Sequence, residues 1–272
     1  MNNIFIVGCP RSGTTLLQSL LTESTNLFSP PETHFFPSIV PDSKFKYFNI
    51  ASRNGRKKVL LHMNAIGCPM DPINSFFLHR WIFHFKKTLD DLALKNKSIG
   101  WIEKTPKHLH YLSYIHQYMP NAKIVHLVRN GLDVSASLFE ASNNYPKAWG
   151  GSRSPRACAE RWVHDIKISF SKLSCKNHKI ITYEDLTLNT DNTLSDIKRF
   201  LYLPETSNYS QTNSEQQFNS LVLVSEPWKK YHSGVRLSKG KANKVFSPQE
   251  RSIVLEIVNQ VKYSSFSHFD MN

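Results

Sequence analysis

Residues 4–21 read IFIVGCPRSGTTLLQSLL, and this stretch decides the fold. The apolar run within residues 3–8 reads as a buried strand, and Leu16, Leu17, Leu20 and Leu21 share one face of a helix over 14–22. Between them, Gly8 and Gly13 bracket four residues. The spacing is nearly that of the phosphate-binding loop G-x-x-x-x-G-K-[ST], with Thr15 in the Ser/Thr place and Thr14 where the lysine belongs. Amides at a strand–loop–helix turn cradle an anion, and the helix N-terminus adds partial positive charge. Gly13 lets the backbone wrap closely around oxygens, Ser12, Thr14 and Thr15 offer hydroxyl donors, and Arg11 offers a planar charged fork. The loop is expected to bind a phosphate without the lysine that serves a γ-phosphate. Cys9 sits early in the cradle with no partner visible in sequence and reads as packing.

Working outward, SIGWIEK at 98–104 predicts a second strand, and Pro106 opens a helix over 107–118. NAKIVHLVRNG at 121–131 predicts a third strand, continued as a helix by LDVSASLFEAS. A helix is expected over 155–173, a fourth strand over 179–185 (KIITYED), and helices over about 190–202 and 248–262. Residues 42–96 read as irregular and aromatic-rich, with a helix over 73–89; the tail 204–245 reads as polar loop. Strands alternating with helices predict an α/β fold with a central parallel sheet. No repeat or linker divides the chain, so one domain over 1–272 is expected.

The composition narrows the partners. The chain has 272 residues, 40% of them apolar, and a net charge of +13. That balance favours anionic partners. There is no long basic run, zinc-finger spacing or RNA-binding signature, so small polyanions are expected rather than nucleic acid. No stretch approaches the roughly 18 apolar residues of a membrane span. A strand begins almost at the N-terminus without a basic leader, so no signal peptide is expected. The four cysteines are scattered without a CxxC pair and read as free thiols of a reducing cytoplasm. The twelve histidines show no HExxH pairing, and no metal site is expected.

PRSGTTLL, residues 10–17, resembles the 5′-phosphosulfate-binding loop of sulfotransferases that use 3′-phosphoadenosine-5′-phosphosulfate (PAPS). IVHLVRNGLDVSASLF, residues 124–139, is similar to their 3′-phosphate-binding segment, in which an arginine ends a strand and a serine follows eight residues later. Here these are Arg129 and Ser137. Both can converge on one phosphate, the one that distinguishes PAPS from ATP. Glu32, in PPETHFF, resembles the catalytic-base glutamate of tyrosylprotein sulfotransferases and their bacterial relatives. Lys104, in WIEKTPKHL, resembles that branch's lysine at the transferring sulfuryl group, and Tyr183, in ITYEDL, matches a tyrosine near the adenine. The resemblance covers roughly residues 4–205. It implies the sulfotransferase fold, a three-layer sandwich like that of the P-loop NTPases.

The resemblance implies transfer of a sulfuryl group from PAPS to an acceptor hydroxyl, leaving PAP. Arg11, Ser12, Gly13, Thr14, Thr15, Arg129, Ser137 and Tyr183 would bind the nucleotide. Lys104, Arg11 and the loop amides would meet the charge on the leaving phosphate, and Glu32 would take the acceptor's proton. Protein cations would do the work of a divalent metal, so none is required. His34 follows Glu-Thr where the tyrosylprotein enzymes carry an arginine, and it is the rival base. No counterpart of their membrane anchor or of a disulfide near Glu32 or Lys104 is visible. The implied acceptor is a tyrosine in an acidic peptide; the alternative is a carbohydrate, lipid or small-molecule alcohol. A PAP- or PAPS-binding protein without chemistry and a P-loop kinase are the rival functions. The 42–96 insertion is expected to shape the acceptor site, and the basic segment 225–244 to close over the nucleotide or stay a solvated loop.

Overall fold

Four short apolar segments pair as a parallel sheet in the computed structural model. They are β1 (Asn2–Val7), β2 (Gly100–Lys104), β3 (Lys123–Val128) and β4 (His178–Thr182), in the spatial order β2-β1-β3-β4. The structure describes residues 1–41, 49–204, 214–229, 235, 237 and 240–261. In register, Ile6 of β1 faces Lys104 of β2, and Val7 faces His126 of β3.

Strand alternation sends Phe5, Val7, Ile124 and Val128 to one face and Ile4, Ile6, Val125 and Leu127 to the other. The first face is covered by α2 (Phe35–Ile39), α3 (Arg53–Ala65), α4 (Leu78–Lys95), α5 (Leu112–Tyr118), α6 (Gly131–Asn144), α8 (Pro155–Phe170) and α13 (Pro248–Val258). The second is covered by α1 (Thr14–Glu23) and α10 (Thr190–Leu201). The expected three-layer α/β sandwich is what forms. Both faces are dry, which is why β1 and β3 read as continuous apolar runs.

Several expected boundaries move, each for a local reason. The fourth strand ends at Thr182, whose side chain accepts the Asp185 amide hydrogen and caps α9 (Tyr183–Leu188). Tyr183 therefore opens a helix rather than lying in a strand. The helix expected over 107–118 begins as a 3-10 turn over Pro106–Tyr111 before α5. Residues 49–96 are more ordered than their sequence suggests. Ser52 caps α3, and α4 runs on to Lys95, burying Trp81, Ile82, Phe85 and Leu89 on one stripe. The tail holds α11 (Ser214–Ser220) and α12 (Lys241–Val245), while α13 ends at Val258. A four-residue helix, α7 (Pro146–Trp149), follows α6. Parts of the expectations for 42–96, 204–245, 225–244 and 248–262 lie outside the described residues.

From β1 the chain crosses to β2 on one side, then returns to β3 on the other. The strand order thus reverses beside β1. In open parallel sheets ligands bind outside the carboxyl ends of the strands at such a point. The residues there are those after Val7, Lys104, Val128 and Thr182.

Candidate active site

The loop after β1 is shaped by steric exclusion. A Cβ on Gly8 would lie 2.3 Å from the Leu127 carbonyl oxygen, and one on Gly13 would lie 2.7 Å from the Tyr183 ring. Gly13 takes φ 97° and Arg11 φ 75°, so the turn is left-handed twice. Gly13 caps α1 without a side-chain hydrogen bond, and the first turn of α1 holds no acidic residue. Its amides are thus left uncapped by side chains, as an anion site requires.

Arg129 follows β3 directly, and Asn130 caps α6 by accepting the Leu132 and Asp133 amide hydrogens at 2.9 and 3.2 Å. Trp162 Nε1 donates to the Arg129 carbonyl at 2.9 Å and fixes this corner. Two turns into α6, Ser137 Oγ accepts from Arg11 Nε at 3.1 Å. The two expected phosphate sites are therefore joined through Arg11. The Arg129 guanidinium lies 4.1 Å from the centroid of the Tyr183 ring. Burial and the neighbouring Arg129 both push the Arg11 guanidinium down. Two crowded guanidiniums, an uncapped helix start and a serine hydroxyl make a donor set suited to phosphate.

Glu32 is brought to β2 by the chain after α1. Phe28 adds a bridge beside Trp101, and Ser29 Oγ donates to the Ile102 carbonyl at 2.9 Å. The segment runs along the edge of β2 and delivers Glu32 to Lys104 at the strand end. Lys104 Nζ donates to Glu32 Oε1 at 2.6 Å, and Lys229 Nζ donates to the same oxygen at 2.7 Å. Glu226 pairs with Lys229 in turn. His34 Nε2 lies 3.7 Å from Glu32 Oε2, and His62 Nε2 donates to the Glu32 carbonyl at 2.7 Å. Burial alone would raise the Glu32 carboxyl, but Lys104, Lys229 and His34 overturn it and hold it well below the usual carboxylate range. Burial pushes the Lys104 ammonium down to about 8, with Glu32 opposing. Burial also lowers the His34 imidazole.

A cleft of about 1440 Å3 joins these groups. Arg11, Gly13, Thr14, Thr15, Arg129, Ser137 and Tyr183 line one part of it, and Glu32 and His34 another. Lys104 and Ser12 are fully buried and do not line it. Lys104 reaches the cleft only through Glu32. The Ser12 hydroxyl has no hydrogen-bond partner among the described residues. Lys229, Lys107, Arg153, Arg161 and His62 also line the cleft and were not singled out from sequence. Lys229 lies in a segment whose basic character is visible; for the others the sequence offers no signal beyond charge. Glu32, His34 and Glu226 each place a potential ligand atom within 4.8 Å of the others, but two ammonium groups already occupy Glu32 Oε1. That charge opposes a divalent cation.

The family model described as "Sulfotransferase family" matches residues 3–207. The chain belongs to the sulfotransferase family. It is 25% identical over 264 residues to a protein-tyrosine sulfotransferase of Drosophila melanogaster, a match covering 95% of this chain and 47% of that protein. It is 27% identical over 239 residues to protein-tyrosine sulfotransferase 1 of Danio rerio, covering 87% and 59%. The chain thus spans about half the length of these curated relatives. Among solved structures, the sulfotransferase domain of the curacin biosynthetic pathway aligns at a TM-score of 0.54 with 20% identity, covering 95% of this chain and 97% of that one. A mouse sulfotransferase complexed with PAP aligns at 0.52 with 16% identity, covering 97% and 85%. These likenesses establish the sulfotransferase fold. Among the described residues no helix is long and apolar enough to cross a membrane.

Proposed function

We propose that this sulfotransferase moves a sulfuryl group from PAPS to an acceptor hydroxyl, with Glu32 as base. The observation that carries the reading is the Lys104–Glu32 pair at the end of β2, beside the cleft that the anion cradle lines. The donor set fits the nucleotide: the α1 start and Arg11 suit its 5′ end, Arg129 and Ser137 its 3′-phosphate, and Tyr183 the adenine. Bound PAPS supplies the sulfuryl group and the phosphate on which charge collects as the S–O bond breaks. Arg11 and the uncapped amides stabilise that charge, with Lys104 as the buried cation closest to the base. No large side-chain motion is needed to bring base and cations together, since Glu32, Lys104 and Lys229 already touch.

Glu32 is ionised at neutral pH, so it can accept a proton, though its cations make it a weak base. A phenol, with an ordinary pKa near 10, suits such a base when proton transfer runs late. The acceptor side of the cleft also favours a particular class. Burial lowers the Lys107 ammonium, and Arg161 and Arg153 push it further down. Lys107, which feels the Glu32 charge, and Arg153 and Arg161, the latter paired with Asp165, line the cleft and suit an acceptor with anionic neighbours. A tyrosine in an acidic peptide is thus preferred to a neutral carbohydrate or lipid alcohol, in line with the two relatives' names. His62 and Ala65 of α3 line the cleft, which supports an acceptor-shaping role for the 42–96 insertion. Trp228, Lys229 and Lys241 support closure by the basic C-terminal segment. We place the chain in a reducing cytoplasm, since all four cysteines are free thiols.

Labelled PAPS, offered with tyrosine peptides of acidic or neutral flanks and with sugar acceptors, tests this reading. Label on the acidic tyrosine peptide is expected. Label from ATP only, in the presence of Mg, would overturn it in favour of a kinase.

A further inference from the structure

Behind the Glu32–Lys104 pair lies a second carboxylate that the reaction itself does not use. Glu103 is fully buried, on β2 immediately before Lys104. Its Oε1 accepts from the Thr105 hydroxyl at 2.6 Å and the Thr33 hydroxyl at 2.8 Å, and more weakly from the Thr33 amide at 3.4 Å. His108 Nδ1 stands 2.7 Å from Oε2. Thr33 follows Glu32, and Thr105 follows Lys104. One oxygen thus ties together the two residues next to the proposed base and its cation.

The network reaches further. Thr105 Oγ1 accepts the His34 amide hydrogen at 3.2 Å, and Thr33 Oγ1 accepts that of Phe35 at 3.3 Å. His34 itself sits at φ 48°, a conformation a side chain of its kind adopts at a cost. The Glu32–Thr33–His34 turn is therefore strained and pinned; the His62 bond to the Glu32 carbonyl is one pin, and the two threonine hydroxyl pins both lead to Glu103. A buried ionised group persists where its hydrogen bonds are satisfied. The described contacts of Glu103 are confined to Thr33, Thr105 and His108.

We propose that Glu103 is a positioning residue of the transfer site, its buried carboxylate holding Glu32 against Lys104 through the hydroxyls of Thr33 and Thr105. It never touches substrate. It fixes the distance between the base and its cation, and the strained turn that presents the base. The proposal rests on the sulfuryl-transfer reading for its kinetic consequence but not for its structural one.

The test uses the full chain and four variants: Glu103→Gln, Thr33→Val/Thr105→Val, Thr105→Val and Thr105→Ser. Three readouts are PAP binding by calorimetry, hydrogen exchange of the Thr33 and His34 amides, and turnover of PAPS. For Glu103→Gln we expect PAP binding within about threefold, lost protection at those two amides while β1 and β3 keep theirs, and turnover down about 100-fold with little change in KM for PAPS. The Thr105 pair separates positioning from packing, and it stands even if Glu103→Gln does not fold. Valine keeps the shape and loses the hydroxyl, whereas serine does the reverse. Serine should restore most of what valine loses. An active valine variant beside a poor serine variant would overturn the proposal, as would unchanged amide protection in the folded double variant. If the unaltered chain binds PAP but transfers nothing to any acceptor, the proposed function fails, and the exchange readout alone decides the role of Glu103.

Discussion

Lys229 and Glu32 are separated by 197 positions in the chain, yet Nζ of one lies 2.7 Å from Oε1 of the other. This bond brings the C-terminal segment onto the proposed base. It also adds a second ammonium to an oxygen already held by Lys104. Lys229→Met removes one of the cations that depress the Glu32 carboxyl, so that group's pKa should rise toward the ordinary value. Activity needs the ionised form and is lost as pH falls through that pKa. The acidic limb of the kcat profile should therefore move to higher pH in Lys229→Met. A limb that stays in place would mean that Lys229 does not act on the base.

Lys104 governs the opposite limb. Its ammonium is pushed down to about 8, first by burial. Its charge is needed and is lost as pH rises through that value, so turnover should decline above about 8. Arginine stays charged throughout this range. In Lys104→Arg, whatever activity survives should show no alkaline decline. A decline near pH 8 that persists there would point to another group.

Arg129 stands at the end of β3 against Tyr183, far in sequence from Glu32 but on the same cleft. As a 3′-phosphate contact it should affect binding rather than chemistry. Arg129→Ala is expected to raise KM for PAPS about 10- to 100-fold, the loss of one charge-assisted contact, with kcat changed little. An unchanged KM with reduced kcat would remove Arg129 from the nucleotide site.

A buried histidine pair gives the fold a pH dependence separate from catalysis. His126 Nε2 lies 2.7 Å from His178 Nδ1, and His126 Nδ1 lies 3.2 Å from Ser169 Oγ. His116 Nε2 meets His178 Nε2 at 2.7 Å, and Lys172 adds positive charge nearby. Burial, followed by the His178 charge, pushes His126 down to about 3. The unfolded chain takes up this proton near 6.5, whereas the folded chain resists it until about 3. Stability is thus full above 6.5 and falls as pH drops toward 3, by about 1.4 kcal/mol per pH unit for this ring. Urea unfolding at pH 7, 6 and 5 should show the slope, and His126→Gln should remove its share. Equal slopes in both proteins would mean that the ring titrates normally in the folded state.

Much of this was legible in the chain. The 4–21 stretch announces a strand, a turn and a helix because its apolar pattern switches period across two glycines. Arg129 and Ser137 are legible as a pair through the resemblance of residues 124–139 to a 3′-phosphate-binding segment, and both line the cleft. Tyr183 shows the limit: TYED reads as the end of a strand, but the Thr182 cap turns it into a helix start. The order within 49–96 was hidden because α3 carries only a few buried residues, Val59 and Met63 among them. Lys229 was the least legible. Its role depends on a contact across nearly the whole chain, and no local pattern encodes that. Glu103 sits in plain view beside Lys104, but only the buried hydroxyls of Thr33 and Thr105 reveal what it holds.

The central claim is that Glu32, clasped by Lys104 and Lys229, takes the acceptor's proton. Its most direct test is Glu32→Gln, assayed with labelled PAPS and an acidic tyrosine peptide, with PAP binding measured on the same sample. We predict that turnover falls about 1,000-fold or more while PAP binding stays within a few-fold, since the cradle, Arg129 and Ser137 are untouched. Retained turnover in Glu32→Gln, with loss in His34→Ala instead, would contradict the account and make His34 the base.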